Sequence, residues 1–410
     1  MERASAQRRT VGVLVGSQIL GGTGLAAGIA VGSLLAAQLS GSDALSGLGG
    51  TVQVLGAAIA AIPIASVTSR LGRRFGLVLG YLVGAIGAAL VVASGMAGSF
   101  PLLLVGFALL GAGTASSSAS RYAAADLATA QHRGRDLSIV VWATTIGSVL
   151  GPNVLSFSPG VARALSIPTL TAPLALSLVC FILASGLLWV LLRPDPLLLA
   201  RDLSDEGMGA RVSGSVAAGF GFIRRSPTAL TGVITMAIGH AVMVGLMVMT
   251  PIHMNHGGAS LEVIGLVISL HILGMYGFSP FVGMAVDRAG ARLIGLLGIL
   301  TQVIAGALAA GSQQGQSWTL TTGLVLLGLG WAATFISGST MLVQAIEVVH
   351  RPAAQGSADL VMGLGAAAAG GLAGVVVQFW GFAQLGLLGG ALCLISAVRL
   401  FWPLRRGGTN

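Results

Sequence analysis

Long apolar stretches recur along almost the whole chain, from Val11 to Leu400, and short clusters of Gly, Pro, Asp and Arg separate them. A helix needs about 20 apolar residues to cross the hydrocarbon core of a bilayer. The pattern therefore predicts an all-α polytopic membrane protein with twelve transmembrane helices. The predicted spans are residues 11–37, 47–68, 76–96, 100–122, 137–156, 169–192, 228–251, 261–285, 291–311, 318–345, 357–378 and 382–403.

Composition and charge support this class. The mean hydropathy is +0.92 and only 8% of residues are charged, which excludes a water-soluble domain. All 21 basic residues are Arg, and only Arg163 falls on the predicted outer side. Because basic residues mark cytoplasmic loops, both termini are predicted to be cytoplasmic. Arg as the only basic residue, with 63 Gly, indicates a GC-rich bacterial genome and hence the bacterial cytoplasmic (inner) membrane.

The sequence also excludes other classes of function. The net charge of +9 follows membrane topology and forms no surface for nucleic acid. The sequence contains no nucleophile and base constellation, P-loop or dinucleotide fingerprint, so we predict no enzyme and no resident cofactor. The predicted partners are the lipid bilayer and a transported solute, and the chain is expected to be a monomer.

The chain carries an internal duplication with one constant offset of 218 residues. The offset links Arg70 to Arg288, Gly72 to Gly290, Arg74 to Arg292 and His132 to His350. Two repeats of six helices are the architecture of carriers that enclose a site between two half-bundles. We therefore predict an N-terminal six-helix bundle at 1–193, a cytoplasmic linker at 194–225 and a C-terminal six-helix bundle at 226–410.

A loop motif occurs once in each repeat. The stretch from Gly283 to Arg292 resembles the G-x-L-a-D-R-x-G-R-[RK] loop of the major facilitator superfamily, and Ser69–Arg74 is its counterpart in the first half. This sequence departs from the pattern at Ser69, where the family has Asp. The resemblance implies the major facilitator fold and a cytoplasmic gate that latches two helices; simple orientation of the helices by positive charge is the alternative. The implied gate residues are Arg70, Gly72, Arg73, Arg74, Asp287, Arg288, Gly290 and Arg292.

Two pairs of possible metal ligands lie on neighbouring spans of the second half: Met243 with Met247, and His271 with Met275. Residues four apart share one face of a helix, and thioether sulfur with neutral imidazole suits a soft cation such as Cu(I). Packing is the alternative for Met on an apolar helix. However, His in a membrane segment calls for a partner. Four of the six His and five of the twelve Met lie between residues 240 and 275.

This arrangement resembles the CcoA-like copper importers, bacterial major facilitator members that supply copper for the assembly of haem-copper oxidase. The resemblance implies a copper-binding set at Met243, Met247, His271 and Met275. It also implies a secondary transporter that takes up copper, as Cu(I), by alternating access, with copper as cargo. The alternative is a carrier of a small organic solute, such as a riboflavin-like vitamin taken up or a drug exported. In that case the Met residues supply adaptable apolar contact and His271 a hydrogen bond.

Further polar residues are candidates around this site. The outer loop 251–257 is expected to collect metal, and the possible relay residues are His240, His253, Met254 and His256. An ordinary polar turn is the alternative for this loop. The 218-residue offset places Gln53 at the position that corresponds to His271, so Gln53 and Gln18 are candidates for lining a cavity. Both could equally form hydrogen bonds between helices.

Overall fold

The computed structural model describes residues 3–41, 45, 48–129, 131–153, 158–203, 216–259, 261–315 and 317–401. Within those ranges the chain is helical almost throughout and contains no strand. The middle of the predicted linker, residues 204–215, lies outside the described residues.

Sixteen α-helices are present in the described part of the chain. They are α1 (Arg3–Ser40), α2 (Leu48–Leu71), α3 (Arg73–Ala97), α4 (Phe100–Asp126), α5 (Arg133–Asn153), α6 (Ser158–Leu165), α7 (Ala172–Leu191), α8 (Pro196–Leu203), α9 (Val216–Arg225), α10 (Pro227–His256), α11 (Leu261–Ile272), α12 (Ser279–Ala289), α13 (Ala291–Ala310), α14 (Trp318–Ala345), α15 (Arg351–Trp380) and α16 (Phe382–Phe401).

The long helices fall where the hydrophobic pattern predicts them. Among the described residues, ten segments are long and apolar enough to cross a membrane, and Phe382–Val398 of α16 is a shorter apolar helix. The remaining predicted span, 137–156, overlaps α5 as far as Asn153, and residues 154–156 lie outside the described residues. The prediction of an all-α, multi-pass membrane protein is therefore confirmed.

The helices form two compact units. The first consists of Met1–Ala128, Ile139–Gly219 and Val348–Gly363. Its core lies between α1, α3, α4 and α7, where large side chains such as Tyr81, Phe107 and Phe181 are almost fully buried. Close helix approach depends on small residues: a Cβ on Gly87 would meet the backbone of α4. In a lipid environment such contacts are a main source of helix association.

The second unit consists of Thr129–Ser138, Phe220–Glu347 and Leu364–Asn410. Here α14 packs against α10, α11 and α13, and α13 also packs against α16. The side chain of Gln302 on α13 is buried and donates from Nε2 to the carbonyl of Gly239 at 2.9 Å. The α14 helix therefore lies at the centre of this unit and touches every helix that carries a candidate ligand.

One predicted span is interrupted. The apolar run 261–285 predicts a single helix, but α11 ends at Ile272, and a π-helical segment (Leu273–Gly277) connects it to α12. Gly274 lies so close to α14 that a Cβ there would meet the carbonyl oxygen of Val325. The glycine permits this approach, and the wider helical turn accommodates it; π-helical turns inside α-helices occur frequently at functional sites.

Candidate functional site

The four predicted copper ligands lie in the second unit and differ in how far their side chains are buried. Met243 and Met247 are both on α10, where Met243 is buried and Met247 is half-buried. His271 lies near the end of α11 and is buried, and Met275 is buried in the π-helical segment. The helix is therefore not a regular α-helix between His271 and Met275, because it widens at Leu273, and the prediction that the two side chains share one binding face stays a prediction.

His271 has a defined tautomer. Its Nδ1 lies 2.7 Å from the carbonyl oxygen of Leu324 on α14. A carbonyl only accepts, so Nδ1 carries the proton and donates it. The other ring nitrogen, Nε2, is then an unprotonated acceptor; it is buried and has no hydrogen-bond partner among the described residues. Metal-binding imidazoles commonly show this arrangement, in which one nitrogen donates to a carbonyl and the other keeps its lone pair. The same lone pair can accept a hydrogen bond from an organic ligand.

The structure brings the two ligand pairs together only in part. The α11 helix and the π-helical segment pack mainly against α14, and α10 packs mainly against α14 and α16. The α10 helix touches α11 over a short stretch. Among the described residues, no group of three or more His, Cys, Asp or Glu side chains could hold a metal ion. A metal site at His271 would therefore depend on methionine sulfur, and a shared site for all four residues stays a prediction.

The predicted relay residues have other neighbours. The loop expected at 251–257 is not a loop, since α10 continues through His256, which is exposed. His253 stacks on Phe382 with ring centroids 4.0 Å apart, and its Nε2 lies 3.2 Å from the hydroxyl of Ser312. Met254 is buried. Pro251 lies inside the helix. Membrane helices tolerate proline where neighbouring helices satisfy the backbone groups that it leaves without a hydrogen bond.

His240 belongs to an aromatic group that we call the Trp331 cluster: His240, Tyr276, Trp331 and Phe335. The indole Nε1 of Trp331 donates to Nδ1 of His240 at 2.8 Å. Trp331 stacks on Phe335 with centroids 4.5 Å apart and planes inclined by 18°, and Tyr276 meets it edge-on at 5.4 Å. Trp331 and Phe335 are buried, whereas His240 and Tyr276 are half-buried. Only His240 was identified from the sequence, because the other three residues become its neighbours through the packing of α14.

The loop of the first repeat carries a buried ion pair. Arg73 donates from Nε and Nη2 to both carboxylate oxygens of Asp126, at 2.7 and 3.2 Å, and from Nη2 to Oε1 of Gln355 at 2.6 Å. Both charged side chains are almost fully buried. Gly72 has a φ of 97°, which a residue with a side chain rarely adopts. Arg70 is exposed.

Asp195 is a second acidic residue that contacts this loop, which has Ser69 where the family has Asp. The backbone N–H of Arg74 donates to Asp195 at 2.8 Å, and the N–H groups of Leu197 and Leu198 donate to the other oxygen of this carboxylate. Asp195 therefore binds the start of α3 and the start of α8 together. The guanidinium of Arg74 lies 4.9 Å from the ring centroid of Trp189, within the range of a cation–π contact.

The loop of the second repeat contains no buried ion pair in the described part of the chain. Asp287 accepts hydrogen bonds from the backbone N–H groups of Gly134 and Arg135, both at 2.8 Å, and so caps the start of α5. Arg292 donates from Nε to the carbonyl of Leu400. Arg288 is exposed, and Gly290 has a φ of 91°. The role of these residues and of the first loop as a gate stays a prediction.

The first unit contains a second buried ion pair, for which the sequence predicted no function. Arg121 on α4 donates from Nη2 to Asp359 on α15 at 2.6 Å, and Tyr122 donates to the same carboxylate oxygen at 3.3 Å. A cavity of about 20 Å³ beside this pair, enough for one water molecule, is also lined by Gln355 and Thr68. A signal was available in the sequence: an Arg and an Asp inside apolar spans each require a partner.

Gln18 and Gln53 both form hydrogen bonds between helices of the first unit. Nε2 of Gln18 donates to Oγ1 of Thr144 at 3.2 Å, and its Oε1 accepts from the hydroxyl of Tyr81 at 3.3 Å. Nε2 of Gln53 donates to Oγ1 of Thr114 at 3.4 Å. Both side chains are buried. The geometry agrees with the interhelical alternative, and a role in lining a cavity stays a prediction.

Comparison with known proteins places this geometry in a family. The model of the Major Facilitator Superfamily matches residues 14–258 and 241–409. An uncharacterized MFS-type transporter of Bacillus subtilis, YdeG, is 36% identical over 99% of this chain and 94% of its own length. The riboflavin transporter RfnT of Brucella anthropi is 28% identical over 100% of this chain and 99% of its own length.

Solved structures show the same fold at low sequence identity. The human organic anion transporter MFSD10 superimposes with a TM-score of 0.75 at 17% identity, covering 96% of this chain and 99% of its own. The proton:xylose symporter XylE gives a TM-score of 0.71 at 18% identity, covering 97% and 95% of the two chains. The match to the family model confirms the superfamily resemblance, and the narrower resemblance to copper importers stays a prediction.

Proposed function

Because the chain belongs to the Major Facilitator Superfamily, we propose that it is a secondary transporter that moves a small organic solute across the membrane by alternating access. The superfamily match covers nearly the whole chain, and a relative aligned over its full length is named a riboflavin transporter. Riboflavin combines a flat fused-ring system, which can pack against apolar and aromatic side chains, with polar ring atoms and a polyol chain that form hydrogen bonds. Pockets for such ligands are mainly apolar and contain a small number of placed polar groups.

The single observation that carries this proposal is the unpartnered Nε2 of His271. A buried acceptor without a partner costs about 1–3 kcal/mol, so it is retained where a ligand satisfies it during the working cycle. The hydrogen bond from Nδ1 to Leu324 keeps the proton away from Nε2. His271 is thus prepared to accept a hydrogen bond from an N–H or O–H group of the solute.

Radiolabelled riboflavin in cells or vesicles tests the proposal. His271→Asn keeps a donor near the carbonyl of Leu324 but removes the Nε2 acceptor, so we expect uptake to fall at least tenfold. His132→Asn, at an exposed histidine outside the candidate site, is the matched control and should transport like wild type. Saturable wild-type transport that His271→Asn leaves unchanged would remove His271 from the site. No transport of riboflavin by the wild type would overturn the proposal for this solute.

A second candidate, copper uptake, is favoured by the chemistry of the same nitrogen. An Nε2 lone pair set by a carbonyl hydrogen bond, with buried sulfur at Met243 and Met275, is a donor set suited to Cu(I). Under this hypothesis, copper accumulation falls in His271→Asn and in Met275→Leu. Met236→Leu, a buried methionine elsewhere on α10, is the matched control. Equal copper accumulation in all variants and in cells without the protein would exclude copper as cargo.

A further inference from the structure

The Trp331 cluster brings together aromatic side chains, which are rare in this chain. Aromatic residues make up 5% of the sequence, with 6 Trp and 3 Tyr in all. One Trp, one Tyr, one Phe and a His nevertheless meet inside the second unit, from α10, the π-helical segment and α14. Ring packing alone would be met by aliphatic side chains, which dominate the rest of this unit. Packing alone therefore does not explain why these aromatic residues are clustered.

The cluster has a fixed floor and a partly open side. The floor is Trp331 stacked on Phe335, and the hydrogen bond from the indole to His240 fixes the orientation of the Trp331 ring. The partly open side consists of the half-buried His240 and Tyr276. The hydroxyl of the half-buried Tyr276 forms no hydrogen bond among the described residues, so a ligand can bind it. A fixed aromatic surface with an available hydroxyl is a binding arrangement for a flat polar ring.

The backbone beneath Tyr276 supports the same conclusion. Tyr276 lies in the π-helical segment, where the wider turn directs side chains differently from a regular α-helix. Gly328 on α14 brings this segment close, since a Cβ there would meet the carbonyl of His271 and the N–H of Met275. Leu324, which binds His271, and Trp331 are seven residues apart on α14, about 10 Å along the helix. That separation is comparable to the length of a fused two- or three-ring system.

We propose that the Trp331 cluster binds the ring system of the solute, and that this solute is a flat, nitrogen-containing fused-ring heterocycle. The ring packs against His240 and Tyr276 with Trp331 behind them, and the Tyr276 hydroxyl binds a polar ring atom. This inference rests on the proposed organic-solute function and names its substrate class. It also assigns specificity to residues separate from His271, so the two can be tested independently.

Binding of riboflavin to the purified full-length protein in detergent tests the inference, with quenching of flavin fluorescence as the signal. Stacking against aromatic residues quenches a flavin, so the wild type should show saturable quenching. Trp331→Leu should weaken binding at least tenfold, and Tyr276→Phe, which keeps the ring and removes only the hydroxyl, about threefold. Trp318→Leu is the matched control, because Trp318 is an exposed tryptophan at the start of the same helix.

Competition by fragments of the ligand locates the recognised part. Lumichrome, the ring system without its polyol chain, should displace riboflavin, and ribitol, the chain without the ring, should not. Unchanged affinity in both Trp331→Leu and Tyr276→Phe, or displacement by ribitol alone, would overturn the inference and leave the transport proposal standing. If the wild type neither binds nor transports riboflavin, the proposed function fails together with the inference. A thermal melt of each variant separates loss of binding from loss of folding.

Discussion

The two loops that the duplication relates share a backbone but differ in their chemistry. Gly72 and Gly290, 218 residues apart, both adopt positive φ values, of 97° and 91°. Arg70 and its counterpart Arg288 are both exposed, but in the first loop Arg73 is buried against Asp126, whereas in the second loop Asp287 binds backbone N–H groups. The turn is common to both repeats because only glycine adopts it freely. The charge partners are not tied to the turn and come from different segments in each half.

This difference indicates unequal energetic roles. The first unit concentrates two buried ion pairs, Arg73 with Asp126 and Arg121 with Asp359. In the second unit, the described part of the loop uses a carboxylate as a helix cap. Removing one partner of a buried ion pair strongly destabilises a protein, because the other charge is left buried and alone. Removing a helix cap lowers the stability only modestly. Variants of the buried ion pairs should therefore lower the stability of the protein more than variants of the helix cap.

The largest effect is expected for Arg121→Leu. The change removes the strongest partner of the buried Asp359 carboxylate, and breaking a buried pair on one side costs about 3–5 kcal/mol. The double variant Arg121→Leu with Asp359→Leu should recover most of this loss, because no charge is left alone. Thermal unfolding in detergent, followed by size exclusion, measures both. A double variant as unstable as the single one would contradict this account of the pair.

Asp287→Ala should have an intermediate effect. It removes the acceptor for two N–H groups at the start of α5, a loss of about 1–2 kcal/mol. Asp287→Asn keeps one oxygen acceptor but no charge, so it should retain about half of the stabilisation. The same unfolding assay ranks the variants. Equal stability of Asp287→Ala and wild type would show that the cap is made by water or by another group.

Asp195→Ala should cost about 1 kcal/mol, since the carboxylate binds the starts of α3 and α8. Asp202→Ala, elsewhere on the same linker, is a matched control and should leave the melting temperature unchanged. The comparison of the two loops predicts that Asp195 takes the role left open by Ser69. A destabilisation by Asp202→Ala as large as that of Asp195→Ala would reduce the effect to general loss of linker charge.

The smallest effect is expected for Arg288→Gln. Its side chain is exposed, and surface substitutions of this kind change stability by about 0.5 kcal/mol or less. Arg73→Gln, three residues after Arg70, the counterpart of Arg288 in the first repeat, should be several-fold more destabilising because its guanidinium is buried. Parallel unfolding curves for the two variants sharpen the comparison. A larger loss of stability for Arg288→Gln than for Arg73→Gln would contradict this comparison of the two loops.

Hydrophobicity predicted the helices well but missed the local departures from regular geometry. The run 261–285 is mainly apolar, and its apolar pattern predicts one continuous helix although Gly274, Gly277 and Pro280 interrupt it. The structure has a π-helical segment here, where Gly274 lies close to α14. Pro251 and the polar residues after it suggested a loop, although α10 continues to His256. A proline or a polar side chain interrupts a helix less readily when neighbouring helices pack around it.

The candidate site was predictable as chemistry but not as geometry. His271 was identified from the sequence because an imidazole in a membrane span needs a partner. Its tautomer and its unpartnered Nε2 follow from the carbonyl of Leu324, 53 residues away in the chain. Likewise, Arg121 and Asp359 are separated by 238 residues, and their pairing depends on how α4 and α15 pack. Such long-range partners are fixed by tertiary packing, which no local pattern contains.

The position of Asp195 has a consequence for dividing the protein into separately expressed halves. A cut directly after α7 would leave Asp195 and α8 on the C-terminal fragment, and α3 would then depend on another polypeptide for the carboxylate at its first turn. A cut after Leu203 keeps this carboxylate with the helices it binds. Co-expressed fragments divided after Leu203 should therefore reassemble more completely than fragments divided after Leu191.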